Sequence, residues 1–455
     1  MILVSLRNDI TLIEDKNEFV LQNSQRRLTF RQPKTGLQRA VRILAGNGLT
    51  RAALNQAVAE DGGAALMRFF GYWNKLVQLG WIDHAVWEGE RCLTTAVSMV
   101  NTDYRFALPE LDAVPYALSH FSYFHSVAGA MVLESPLSLT RVTFQDGNAA
   151  ALALQLATPQ QVDGLSSPLW AQTRSELIQL LLAAKMVYPA DALPEQQNVA
   201  LRQWEFHDLL FHSRSRAGRQ DGFVGATYRF AGDISPLPAV RPRFESIEVV
   251  SLPKPDLAYL KQEDVGFTHV LEARRSIRDE EPQAPLTVAQ LGEFLYRSAR
   301  IKSLFEGEYQ ELSKRPYPGG GAIYELEIYL VVSQCEGSVA GLYHYRPFEH
   351  ELEFLAAQTE QMQQFYWQYQ PPVQFIFASR HQRLSWKYSS IAYSVTLKNV
   401  GVLQQTMYLV ATAMGLAPSA LGGGDSDLFA RVSGLDYFEE TAVGEFGLGG
   451  AVNND

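Results

Sequence analysis

ARRSIR, residues 273–278, alternates cation, hydroxyl and cation, and the reading of the fold turns on it. Successive side chains of an extended segment point to opposite faces, so Arg274, Ser276 and Arg278 share one face, with Arg275 beside them. Two guanidiniums and a hydroxyl on one face are suited to a phosphate. Arginine runs also occur on plain solvated surface, so the segment gains meaning only in company with three others further along the chain. RPYPGGGAIYELEIYLVV (315–332) joins a proline-started turn, Pro318-Gly319-Gly320-Gly321, to a strand of alternating pattern. Three glycines in a row cost backbone entropy, which makes sense where a backbone approaches a ligand or takes positive φ; an ordinary tight turn is the alternative.

SWKYSSIAYS (385–394) places Lys387 beside Tyr388. A desolvated ammonium, or a phenol whose phenolate is favoured by a neighbouring ammonium, can take a proton; a helix-start lysine next to a core tyrosine is the plainer reading. GLAPSALGGGDSD (415–427) sets Leu421, Gly422, Gly423 and Gly424 at the end of an apolar run. They form either a close-approach loop or a helix cap leading onto surface. Around these segments the periodicity predicts helices over 267–274, 287–296, 357–369 and 388–414, and strands over 324–333, 341–346, 373–379 and 442–446. That alternation implies an α+β core with helices over a sheet.

Towards the amino terminus the pattern changes. Short apolar runs at 2–6, 10–13, 19–21 and 28–30 read as strands, followed by helices at 36–44, 51–58 and 64–79 and an extended run over 81–97. This is the order of a small winged-helix-like module, over residues 1–100. A second module over 101–200 repeats the order weakly, with extended runs at 121–127 and 130–133 and helices at 147–156, 158–164 and 173–187. MRFFGYWNKLVQLGWI and RSELIQLLLAAKMVYP share a hydrophobic pattern and an exit. They mark either an internal duplication or two unrelated helices of common pattern. The third domain is assigned to 201–455; within it the proline-rich stretch 232–255 reads as an extended arm.

Composition narrows the function classes. With 455 residues, 47% hydrophobic and 19% charged, the chain is long enough for several globular cores. No amino-terminal signal segment and no membrane-length apolar run is found, so a soluble cytoplasmic protein with no membrane partner is expected. A net charge of −10 argues against nucleic acid as partner. One basic cluster (Arg26, Arg27, Arg31, Lys34, Arg39, Arg42) reads as solvated surface or as a peptide contact. Cys92 and Cys335 stand in no metal-like spacing, and the pairs His120/His125 and His207/His212 are spaced wrongly for one helix face, so no metal is expected.

In order and spacing the four quoted segments resemble the nitroreductase-like flavin oxidoreductases. More narrowly they resemble the SagB-type azoline oxidases of ribosomal peptide pathways, such as the cyanobactin thiazoline oxidases. The resemblance covers residues 200–455 well and the first 200 loosely. It implies FMN as cofactor, bound by Arg274, Arg275, Ser276 and Arg278, by Pro318, Gly319, Gly320 and Gly321 from the second subunit of a homodimer, and by Leu421, Gly422 and Gly423 beside the reactive ring edge. It implies Lys387 and Tyr388 as the catalytic pair, without saying which is the base. Gly319 stands where the family usually has serine, so a backbone donor would replace a hydroxyl. The implied partners are an azoline-containing precursor peptide, its leader held by the amino-terminal modules acting as peptide clamps, and molecular oxygen. An NAD(P)H-dependent nitro or quinone reductase, and a winged-helix redox-sensing regulator, are the rival readings.

Overall fold

The computed structural model describes residues 1–15, 18–245, 248–278, 284–366 and 369–452. The chain forms two compact units, Met1–Gly222 and Phe223–Asp455. The boundary expected at 200/201 therefore falls inside the first unit. Among the described residues no helix is long and apolar enough to cross a membrane.

In the first unit, β1 (Ile2–Leu6) is followed by a three-stranded meander, β2 (Thr11–Glu14), β3 (Glu18–Gln22) and β4 (Arg27–Arg31). Three helices come next: α1 (Thr35–Ala45), α2 (Arg51–Ala59) and α3 (Gly63–Gln78). Then comes a hairpin, β5 (Ile82–Glu88) and β6 (Arg91–Ser98). Thr50 caps α2 by accepting from the Ala53 amide, and Gly80, with φ +65°, turns the chain out of α3. β5 returns antiparallel to β1. The same order then recurs. β7 (Tyr116–Leu118) precedes a meander of β8 (Tyr123–Val127), β9 (Ala130–Glu134) and β10 (Thr140–Phe144), then α4 (Gly147–Gln155), a 3-10 turn at Val162–Gly164, α5 (Ala171–Ala183), and β11 (Val187–Pro189). β11 pairs antiparallel with β7, as β5 does with β1. Shared order and shared pairings support the duplication, although β10 has too ordinary an alternation to be singled out in the sequence. Two short helices, α6 (Pro194–Gln197) and α7 (Phe206–Arg214), close the unit.

One six-stranded sheet runs through both copies in the order β1-β5-β6-β10-β9-β8, with β2-β3-β4 forming a separate three-stranded sheet. Two apolar cores flank these sheets. One gathers Phe30, Val41, Leu54, Phe69 and Trp81; the other gathers Leu133, Val142, Leu152, Leu177 and Leu181.

The second unit opens with β12 (Gly225–Ala226), β13 (Glu248–Ser251), α8 (Leu257–Glu263), α9 (Phe267–Ala273) and α10 (Val288–Ala299). β14 (Ser303–Glu306) and β15 (Glu311–Lys314) make a hairpin. β16 (Leu326–Val332), β17 (Gly341–Arg346), β18 (Glu351–Ala357) and β19 (Val373–Ser379) come after it, then α11 (Gln382–Lys387), β20 (Tyr388–Ser389), α12 (Ala392–Ala413), β21 (Leu416–Leu421), α13 (Ser426–Ser433) and β22 (Thr441–Ala451). The central sheet has seven antiparallel strands in the order β13-β18-β17-β16-β19-β22-β21. α10 and α12 cover one face through Phe294, Leu403 and Met407, and Phe429 of α13 joins the core on the other. This is the α+β arrangement expected.

Three local expectations are corrected. Residues 357–369 do not form an α-helix: β18 runs to Ala357 and a 3-10 helix covers Glu360–Phe365, while Trp367 and Gln368 lie outside the described residues. The long helix does not start at Tyr388. α11 ends at Lys387, and Ser390, with φ +65°, breaks the chain before α12. Residues 416–421 are strand β21, not the tail of a helix, because Ala413 ends α12 and Gly415 (φ +66°) turns the chain back onto the sheet.

Candidate active site

The residues singled out in the sequence gather at two places along α12. Towards its carboxyl end, α9 stops at Arg274 and the chain becomes extended. The Arg274 guanidinium lies over the Tyr408 ring, 5.2 Å from its centroid, and Ser276 Oγ is 2.6 Å from the Tyr408 hydroxyl. Ile277 turns the opposite way into a small core with Ala417 and Val452, and its amide donates to the Pro418 carbonyl at 2.9 Å. Arg278 reaches the Ala420 carbonyl at 3.5 Å, and Arg275 is exposed. The alternation read from ARRSIR is thus present in space. Tyr408 links this segment to the glycine loop, because its hydroxyl also accepts from the Ala420 amide at 2.7 Å.

Beyond β21, Leu421, Gly422, Gly423 and Gly424 line a cleft of about 400 Å³ with Gln404 and Glu445. A Cβ on Gly424 would collide with the Glu445 carboxylate, whereas nothing lies within 4 Å of the corresponding position on Gly422. Burial pushes Glu445 up to about 7. The carboxyl is therefore poised between its two forms near neutrality.

The second place is nearer the amino end of α12. Lys387 ends α11 and Tyr388 begins β20, which pairs with β12 through Ala226. The Lys387 carbonyl accepts from the amides of Thr227 and Tyr228 at 2.9 and 3.1 Å, so the backbone of the pair is fixed while both side chains stay half-buried. Lys387 Nζ sits 5.7 Å from the Tyr228 ring centroid and 5.3 Å from that of Tyr388. Among the described residues no carboxylate pairs with it. The loop after Pro318 passes directly beneath. Gly321 has φ +64°, and a Cβ there would collide with the Tyr388 hydroxyl and lie 3.0 Å from Lys387 Nζ. A Cβ on Gly320 would strike Val395, and one on Gly319 would come 2.9 Å from the Tyr324 ring. The Gly320 amide donates to Asn399 Oδ1 at 3.1 Å, and Asn399 Nδ2 in turn donates to both oxygens of the buried Glu325 at 3.0 and 3.1 Å. Burial raises Glu325 above the ordinary carboxylate range, against the opposing pull of those hydrogen bonds.

Asn399 and Tyr408 anchor the two places, about 14 Å apart along the helix axis at 1.5 Å per residue. Neither was singled out in the sequence, nor were Glu325 and Glu445. A polar side chain on the buried stripe of an apolar helix was the available signal for Asn399. His207 and Asp208 are exposed on α7. Arg214, on the same helix, is bound to Glu134 at 3.1 Å.

An antiparallel sheet under two long helices, a cationic extended segment and glycine loops at both ends of α12 define a nitroreductase-fold oxidoreductase, and residues 271–450 match the Nitroreductase family. Residues 1–108 match the ThcOx helix-turn-helix domain and residues 116–221 the cyanobactin oxidase ThcOx. Matched in order, the three regions make the chain similar to the nitroreductase-like cyanobactin oxidases of the ThcOx type.

A Methanocaldococcus jannaschii protein described as a nitroreductase is 29% identical over 185 residues, covering 38% of this chain and 85% of its own length. The microcin B17-processing protein McbC of Escherichia coli is 29% identical over 136 residues, 27% of this chain and 49% of McbC, so the match spans about half of that relative. Among solved structures, the E. coli microcin synthetase McbBCD complex with truncated pro-MccB17 bound aligns with a TM-score of 0.35 and 21% identity, over 53% of this chain and 91% of the other.

Proposed function

We propose that the chain is an FMN-dependent oxidase that converts thiazoline or oxazoline rings in a ribosomally made precursor peptide to thiazoles or oxazoles. The observation that carries this reading is Lys387 beside Tyr388, without a carboxylate partner among the described residues and seated on Gly321. A simple reductase has no use for a base there. An azoline becomes aromatic by losing a proton from the carbon next to the carbonyl and a hydride from the neighbouring ring carbon. Bound FMN supplies the hydride acceptor, with molecular oxygen taking the two electrons onward to give peroxide.

The residues fit such a cofactor. Arg274, Ser276 and Arg278 offer a phosphate two cations and a hydroxyl on one side of Tyr408, and the open face of Gly422 admits a planar group close to backbone. Lys387 or Tyr388 takes the proton, with the other side chain beside it. The Glu325–Asn399–Gly320 chain keeps the floor under the pair in place. In this reading the active unit is a homodimer with two sites at its interface, the 318–321 loop reaching the neighbour's cofactor, and the amino-terminal region holds the leader as an added strand. The setting is taken to be cytoplasmic.

The deciding experiment is the visible spectrum of the purified chain, followed by mass spectrometry after incubation with a thiazoline peptide in air. Flavin bands and a loss of two hydrogens per ring are expected. NAD(P)H consumption with nitroaromatics, and no change in any azoline peptide, would establish the reductase reading in its place.

A further inference from the structure

The duplicated copies differ at one edge. In the first copy, among the described residues, β4 pairs with β3 alone, leaving its other edge unpaired. Where β4 ends, a cavity of about 100 Å³ opens between Arg31, the turn at Pro33, Leu37 of α1, and Ala65, Arg68 and Tyr72 of α3. In the second copy the corresponding strand is β10, and its edge is filled. β6 lies antiparallel along it, with Ala96 opposite Val142 and Val97 opposite Arg141. The hairpin also fills the neighbouring helix groove: α5 packs on β5, and Val86, Leu93 and Ala96 are buried with Val142, Leu177 and Leu181. The molecule therefore shows what this edge accepts, namely an extended antiparallel segment with alternate apolar side chains turned towards the helix.

Charge tells the copies apart in the same way. On the filled edge Arg141 is neutralised by Glu134 at 2.5 Å and Asp221 at 2.8 Å. Around the open edge, Arg26, Arg27 and Arg68 are exposed and carry no ion pair among the described residues. Arg31 meets Glu18 only at 3.8 Å, both side chains being well exposed. The nearby acid Asp61 is already engaged, accepting from the amides of Gly36 and Leu37.

Resting on the proposed function, we infer that the copies have divided the work. β4 of the first copy is the one edge that takes an incoming peptide, of acidic and alternately apolar character, while the second copy carries β6 in its place and serves as scaffold. Of the basic cluster read from the sequence, Arg26, Arg27 and Arg31 then belong to the peptide contact, whereas Arg39 and Arg42 are held by Glu60 and Glu14 at 3.0 and 2.8 Å.

Hydrogen exchange on the full chain tests this, using a short acetylated peptide that alternates leucine with glutamate and a second that alternates leucine with lysine. Without peptide, Thr140–Phe144 should be protected along both edges and Arg27–Arg31 along one. The acidic peptide should slow exchange in Arg27–Arg31 by roughly tenfold or more, and the lysine peptide should not. Charge reversal with Arg27→Glu and Arg68→Glu should exchange the two responses, which a merely unfolded variant cannot do. Protection that appears at Thr140–Phe144, or none at Arg27–Arg31 with either peptide, overturns the inference. Oxidation of a leaderless thiazoline peptide is measured separately. If that fails while β4 is protected, the proposed function falls and the division of work stands.

Discussion

At the amino end of α12 the three glycines after Pro318 are packed against side chains of their own chain, Tyr324, Val395 and Tyr388. At the carboxyl end Gly422 faces open space, and only Gly424 is tight, against Glu445. The same residue type therefore does two jobs. The packed glycines let a strand-leading loop slide under Lys387 and Tyr388, so that the pair rests on backbone. The open one leaves room for a flat ligand beside Tyr408 and the arginines. In the proposed function, proton handling and phosphate holding fall at different ends of one helix, and they should fail separately.

The largest effect is expected at the amino end. Lys387→Ala and Tyr388→Phe should each lower turnover of an azoline peptide by about 10²–10⁴ while flavin absorbance is retained. Gly321→Ala, which pushes a methyl group into the Tyr388 hydroxyl, should act in the same direction. Normal turnover in both pair variants would dissolve the distinction between the ends. At the carboxyl end, replacing Arg274 or Arg278 by alanine should cost about 1.5–3 kcal/mol of cofactor binding, or roughly ten- to a hundredfold in affinity, read by flavin fluorescence titration. Full occupancy in the double variant would remove the phosphate assignment.

The smallest effect concerns stability. Glu445 is held at about 7 in the fold against an ordinary 4.5. Between those values the folded chain keeps a proton that the unfolded chain has released, so wild-type stability falls as pH rises through that window and then levels. Glu445→Gln should lack this fall and gain on the order of 2 kcal/mol relative to wild type at pH 8, with the difference vanishing near pH 4. Parallel urea-melting curves for the two proteins at all pH values would show that the carboxyl is not held protonated.

The sequence carried the parts whose chemistry is local. ARRSIR alternates because an extended backbone must, and the glycine runs and the Lys387–Tyr388 pair can be seen without knowing what they touch. Tyr408, Asn399 and Glu445 were harder to find for the opposite reason. Each acts across the chain, on Ser276 and Ala420, on Gly320 and Glu325, and on Gly424, and no local pattern marks those distances. The helix drawn over 388–414 shows a related limit. Apolar periodicity continues across Ser389 and Ser390, and only the left-handed backbone at Ser390 reveals that the pair sits in a break between two helices.

The sheet shared by the two copies has a consequence for anyone cutting the chain. β6 comes from the first copy and completes the second, so removing residues 1–100 would strip the cover from β10. Val142 and its neighbours would then border an unpaired strand rich in backbone donors and acceptors, the kind of surface that recruits strands from other molecules. Such a fragment should aggregate or exchange strands with its neighbours, and its loss of activity would say nothing about peptide binding. The duplication that looks divisible in sequence is a single folding unit, and changes to individual residues are the cleaner tool.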